Sequence, residues 1–257
     1  MPEAGTLAVS LGRAFAESDF PADPVEVRTP HGTAVLHRSN DQWLLFRHGR
    51  PHQWLPHRIP VRAQMAALRE VGVRSLVVTG FVGVLDDTLP LHEPLLVSDV
   101  VMPTGFLPDG SPATMFVDGD GGYLTLDEGL VSRRLAAQLR GIAIGLGDPL
   151  ALPECEVHHV AGPRARTPAE TALLARQGAR AVSMTVVPEI VLANELGIAT
   201  AAVVVGYRTL FETLTVPEAE RRLAESRHAL EALCARFLRS GDPVASTNRL
   251  ARYGRDS

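Results

Sequence analysis

From Cys155 to Leu238 the chain alternates short apolar runs with marked helix starts, three times over. Cys155 to Val160 reads as a strand. Thr167-Pro168-Ala169-Glu170 then supplies a hydroxyl cap, a proline at the first helical position and a glutamate three residues on, which starts a helix running to Gln177. Ala181 to Met184 is the next strand, followed by a helix that Pro188 opens and Gly197 closes. Ala201 to Val205 is the third strand. Thr215-Val216-Pro217-Glu218 repeats the cap logic and starts a last helix to about Leu238, with Ala219, Leu223, Leu230, Leu233 and Phe237 on its apolar face. Strands alternating with helices predict an α/β fold around a parallel or mixed central sheet.

The first half fits the same class. Leu7 to Ser10, Val25 to Val27, Thr33 to His37 and Trp43 to Phe46 read as strands between polar turns. A helix is expected from Val61 to Val71, with Gly72 just after it. Ser75 to Thr79 is an unbroken buried strand that ends at a two-glycine turn, Gly80-Phe81-Val82-Gly83. Leu95 to Met102 is a strand, residues 103–122 form a long Pro/Gly/Asp-rich loop, and Leu130 to Ile144 is a helix. No repeat or linker-like shift in composition divides the 257 residues. A single domain over 1–257 is expected, with a looser tail from about residue 240.

Composition narrows the function classes. A net charge of -4 argues against a dedicated nucleic-acid partner. No run approaches the ~20 apolar residues of a membrane helix, and Met1 to Ser10 lack the pattern of a secretory signal. Cys155 and Cys234 stand far apart, outside any metal-ligand spacing, which points to a reduced, cytoplasmic protein with no metal. All 25 basic side chains of the Lys+Arg class are arginine. A lysine Schiff base and a Walker-type phosphate lysine are therefore impossible.

Several clusters can carry chemistry. Arg47-His48-Gly49-Arg50-Pro51-His52 follows a strand and sets two guanidinium groups and two imidazoles together, a fit for phosphate or carboxylate; a solvated basic turn is the other reading. Gly80-Phe81-Val82-Gly83 stands where α/β sheets bind ligands, although a plain tight turn has the same pattern. Gly162-Pro163-Arg164 precedes the Thr167 cap. At Ser183-Met184-Thr185-Val186-Val187-Pro188-Glu189 a strand runs into a helix start whose free N–H groups favour an anion, unless Thr185 is an ordinary N-cap.

Arg47-His48-Gly49-Arg50, Gly162-Pro163-Arg164 and the run from Gly178 to Glu189 together resemble the purine nucleoside phosphorylase family, in its methylthioadenosine phosphorylase-like branch. The order and spacing fit from about Leu7 to Leu238, and Gly162 to Gly197 is the most specific stretch. The resemblance implies a single α/β domain with a mixed, barrel-like central sheet flanked by helices, a homotrimer, and phosphorolysis of a purine nucleoside through an oxocarbenium-like transition state. It implies no cofactor, with inorganic phosphate as co-substrate and a small nucleoside or nucleotide-like ligand as partner. It assigns phosphate contacts to Arg47, His48, Arg50, His52 and Thr185, and packing under the ribose to Met184.

Other matched positions depart from the family. Arg13 stands at the hydroxyl position of the first phosphate loop. Gly80 and Phe81 replace the hydroxyl residue and alanine of the second. Ala165 replaces the aromatic residue that stacks on the base, and Arg166 its polar neighbour. Arg208 falls at the catalytic Asp/Asn that contacts purine N7, and Tyr123 near a histidine on the 5′ side of the sugar. A guanidinium stays charged and is a poor general acid, so Arg208 can donate hydrogen bonds but not the aspartate's proton. Arg13, Arg166 and Arg208 add charge beside Arg47 and Arg50. A ligand more anionic than a neutral nucleoside is expected, unless Arg166 and Arg208 pair with Asp86, Asp87 or Glu189. Three functions fit: a divergent pentosyltransferase acting on an N-glycosidic bond, a repurposed enzyme of specialised metabolism, or a non-catalytic nucleotide-binding homologue.

Overall fold

The structure is a computed structural model and describes residues 6–15, 20, 22–117, 121–211 and 214–253. In chain order the elements are β1 (Thr6–Leu11), β2 (Asp23–Thr29), β3 (Gly32–Ser39), β4 (Gln42–Phe46), α1 (Val61–Glu70), β5 (Val73–Val84), β6 (Pro94–Val101) and β7 (Gly121–Thr125). They continue with α2 (Arg133–Ile144), β8 (Glu154–His159), α3 (Pro168–Arg176), β9 (Ala181–Ser183), α4 (Val186–Glu195), β10 (Ala199–Thr209), α5 (Val216–Ser240) and β11 (Arg249–Tyr253).

Nine strands make one mixed sheet in the order β10-β6-β8-β9-β5-β1-β4-β3-β2. An additional parallel pairing of β10 with β5 closes β5, β10, β6, β8 and β9 into a five-stranded ring. The barrel-like α/β fold implied by the family resemblance is therefore present. Helices α1, α4 and α5 pack on this sheet, and α2 packs on α5 and β10. With both faces covered, β5 and β10 carry unbroken apolar runs rather than an alternating pattern.

The caps read from sequence are in place. The Thr167 hydroxyl accepts from Glu170 N and the Glu170 carboxylate accepts from Thr167 N, a complete capping box on α3. Thr215 caps α5 in the same way from its own side.

Two expectations need correction. The strand from Val73 does not turn at Gly80 but continues to Val84. Its glycines mark close packing instead: a Cβ on Gly80 would lie 2.5 Å from Val186 Cγ2, and one on Gly83 2.5 Å from Leu210 Cδ2. The segment after α5, read from sequence as a looser tail, is tied down as far as it is described. Val244 is buried, its N–H donates to the Ser75 hydroxyl at 2.7 Å, and β11 pairs antiparallel with β7.

One edge of β5 changes partner along its length. It pairs with β1 as far as Val78 and with β9 from Gly83. The backbone between those points is left to side chains, and the functional cleft lies beside it.

Candidate functional site

The cleft encloses about 370 Å³. It is lined by Gly12 and Arg13 beyond β1, by Phe81 and Gly83 of β5, and by Val182–Thr185 at the end of β9. The segment after β4 adds Arg47, His48 and His52, and the loop after β8 adds Arg164, Ala165 and Arg166. These positions are the carboxyl ends of neighbouring strands, where α/β sheets present ligand-binding groups.

Arg47 organises one end. Its guanidinium is buried, a costly state unless the charge is paired and its donors are used. Nη2 donates to Glu189 Oε2 at 2.6 Å and to the Thr79 carbonyl at 2.7 Å, with the Ser10 hydroxyl at 3.3 Å. The Thr79 carbonyl belongs to the stretch of β5 that lacks a strand partner on this edge. Ser10 in turn donates to Glu189 Oε1 at 2.9 Å, so the carboxylate is held from two directions. Nη1 points toward the Thr185 hydroxyl at 3.4 Å. Thr185 is free for this contact because the neighbouring Ser183 Oγ accepts from the N–H groups of Thr185 and Val186 and caps α4. Thr185 is the N-cap residue of α4, but its side chain makes no cap hydrogen bond.

His48 and His52 converge on one carbonyl. His48 Nδ1 lies 2.7 Å, and His52 Nε2 3.0 Å, from the oxygen of Trp54. Burial, reinforced by the neighbouring Arg47 charge, lowers the His48 pKa to about 4, so this imidazole is neutral at pH 7.

The other end is built on an irregularity in β10. The register with β5 shifts between Gly206 and Arg208, so Tyr207 is an extra residue and Arg208 stands opposite Gly83. A bulge of this kind lets two consecutive residues face one side. Tyr207 and Arg208 both line the cleft, and the Arg208 guanidinium lies 5.6 Å from the Tyr207 ring centroid. Arg208 Nε is buried without a hydrogen-bond partner among the described residues. Arg166 donates to the Arg164 carbonyl, and burial lowers its pKa from the ordinary guanidinium value.

Five arginines and no carboxylate line this cleft among the described residues. Arg47 is paired with Glu189, Arg164 with Glu170 at 2.6 Å, and Arg13 loosely with Glu220 at 3.5 Å on the surface. Arg166 and Arg208 have no ion-pair partner among the described residues. Two acids proposed from sequence as their partners are taken: Asp86 by Arg180 at 2.6 Å, and Glu189 by Arg47.

A family model described as the Phosphorylase superfamily matches residues 7–239. The chain belongs to the Phosphorylase superfamily. It is 36% identical over 186 residues to a probable S-methyl-5′-thioinosine phosphorylase of Methanopyrus kandleri, covering 69% of this chain and 68% of that protein. It is 30% identical over 191 residues to the S-methyl-5′-thioadenosine phosphorylase of Emericella nidulans, covering 68% and 52%. The match thus spans about two thirds of one relative's length and about half of the other's. In fold the chain is similar to the methylthioadenosine phosphorylase of Schistosoma mansoni solved in complex with adenine, with a TM-score of 0.80, 19% identity and 91% of each chain covered.

Of the positions singled out by this phosphorylase resemblance, Arg13, Arg47, His48, His52, Phe81, Ala165, Arg166, Met184, Thr185 and Arg208 come together in the cleft. Three do not line it. Gly80 is buried against Val186. Arg50 lays its guanidinium over the Phe46 ring at 5.0 Å. Tyr123 is exposed on β7, which pairs with β11 in a separate two-stranded sheet. Loop residues Leu107, Pro108 and Asp109 instead border a small cavity behind Arg47 and Glu189. Sequence reading missed Ser10 as a carboxylate donor and Tyr207 as a cleft residue. An acidic residue in the first turn of α4 was the one local signal for Glu189.

Proposed function

We propose that this member of the Phosphorylase superfamily is a pentosyltransferase that cleaves or forms the N-glycosidic bond of a purine nucleoside or a more anionic analogue, with inorganic phosphate as nucleophile and no other cofactor. The single observation that carries the reading is the cleft wall: among the described residues it holds five arginines and no carboxylate, and two of the guanidinium groups have no ion-pair partner. Arg166 and Arg208 are half-buried, and guanidinium groups drawn partly out of water favour an anion beside them. Arg47, held rigid by Glu189, and the Thr185 hydroxyl are the groups for the attacking phosphate. The relatives' phosphorylase names and the family match support the reaction class. The S. mansoni enzyme, crystallised with adenine, supports a purine-sized occupant.

The same reading includes a cytoplasmic homotrimer. Phe106, Tyr123 and Leu126 are exposed apolar side chains that subunit assembly would cover. Arg208, in place of an acid that could protonate the base, favours a second reading, a nucleotide-binding protein without turnover. One experiment separates the two. The protein is incubated with nucleosides and nucleoside 5′-monophosphates, with and without phosphate, and free base is followed by chromatography. Phosphate-dependent base release is expected. Tight binding without release would replace the enzyme by the binder. A monophosphate that stabilised the fold no better than its nucleoside would remove the anionic substrate.

A further inference from the structure

When an N-glycosidic bond breaks, the electron pair stays on the base nitrogen and must be neutralised by a proton or by a fixed cation. The cleft offers the cation. No carboxyl group lines it among the described residues. His48 is held in its neutral form by burial and by Arg47. His52, tied to the Trp54 carbonyl, follows β4, and two strands, β1 and β5, stand between β4 and the β10 strand that carries Arg208. At the far end stands Arg208, always charged, free of any carboxylate among the described residues, with its Nε buried and without an acceptor. The β10 bulge aims it into the cleft and the Tyr207 ring supports it.

Resting on the phosphorylase reading, we propose that Arg208 receives the departing base as an anion, and that the substrates are N-glycosides of acidic bases, heterocycles whose ring N–H ionises near neutral pH. An oxygen of hydrogen phosphate dianion bonds to the anomeric carbon while the carbon–nitrogen bond breaks. The bonding pair goes to the base nitrogen, no proton moves, and the products are a sugar phosphate monoanion and a base monoanion. The guanidinium of Arg208 pairs with the new charge as it forms, with Arg166 as a second cation in the same cleft. A base that departs only after protonation finds no carboxyl group at this end among the described residues, and the Tyr207 phenol is the one rival donor beside Arg208.

The test is a series of nucleosides that share one sugar and differ in the acidity of the free base, assayed for phosphate-dependent base release. The expected kcat/KM rises by about 100-fold or more from the least to the most acidic base. Arg208→Gln lowers it by about 100-fold on the most acidic one. Equal rates across the series, or full activity in Arg208→Gln, would overturn the proposal. So would a Tyr207→Phe variant that loses activity on weakly acidic bases alone, because the phenol would then be the proton donor. Thermal shift with free bases decides the matter without turnover. An ionised base should stabilise the wild type more than an uncharged analogue of equal size, and Arg208→Gln should abolish the difference. If no nucleoside is cleaved but this difference is found, the reaction class fails and the anion site stands. If nucleosides are cleaved but the difference is absent, the anion site fails alone.

Discussion

Glu189 accepts a 2.6 Å hydrogen bond from Nη2 of Arg47, and both side chains are buried at a distance of 142 residues along the chain. The pair joins the end of β4 to the first turn of α4 and holds the guanidinium beside Thr185. Removing one member leaves the other charge buried and alone. Glu189→Gln is expected to lower stability by about 3 kcal/mol or more, read from urea denaturation. Phosphate should then stabilise the variant more than it stabilises the wild type, because the freed Arg47 charge needs a new counter-ion. Equal phosphate effects on both proteins would separate Arg47 from anion binding.

His48 and His159 give the fold a pH dependence with a defined sign. Burial, reinforced by Arg47 for His48 and by Arg166 for His159, lowers each pKa from 6.5 to about 4. Between those values the unfolded chain binds more protons than the native one. Stability is therefore fully present above pH 6.5 and is lost as the pH falls toward about 4. Each unit of separation is worth about 1.4 kcal/mol, so the urea midpoint at pH 5 should lie well below that at pH 7. Substituting either histidine by asparagine should shrink the difference, whatever it does at pH 7.

Helix starts were legible in the sequence because their signals are local. Thr167 and Glu170 lie three residues apart and bond to each other, and on α5 the Thr215 hydroxyl accepts from Glu218 N. The course of β5 was not legible. Gly80 and Gly83 look like a turn, and only the Val186 and Leu210 side chains, supplied from distant segments, explain bare backbone inside a strand. Four of the five cleft arginines were legible in the sequence, with Arg164 standing where Arg50 was expected, but their circuit was not. Which of them is neutralised depends on Glu189, Glu170 and Glu220, and the first of these meets Arg47 only through the sheet. Tyr207 was missed because a bulge is a property of register, not of residue type.

Gly80 gives the sharpest packing test. A methyl group there would meet Val186 Cγ2 at 2.5 Å inside a close-packed layer. Gly80→Ala is expected to cost about 1–3 kcal/mol by overpacking. Val186→Ala in the same chain should restore part of that loss, since it removes the opposing methyl groups. A double variant as unstable as the sum of the two single ones would show that the two positions do not oppose each other.

The loop at 103–117 is clamped rather than free to close. Glu195 Oε2 accepts from Met115 N at 2.6 Å and from Thr114 Oγ1 at 3.0 Å. From α1, Arg62 donates to the Thr114 carbonyl at 2.9 Å, to the Pro112 carbonyl at 2.5 Å and to the Ser111 hydroxyl at 3.1 Å. Burial raises the Glu195 pKa, while the two loop donors oppose the shift. Replacing Glu195 by alanine leaves Met115 N without its acceptor and releases the loop from α4. Limited proteolysis should then cut within 103–117 faster than in the wild type, with a smaller change in global stability than Glu189→Gln produces, because local opening does not require the core to unfold. Adding Arg62→Ala should accelerate the cut further. If both variants resist protease as the wild type does, the loop is held by Leu107 and Met115, which are buried in the core, and not by these polar contacts.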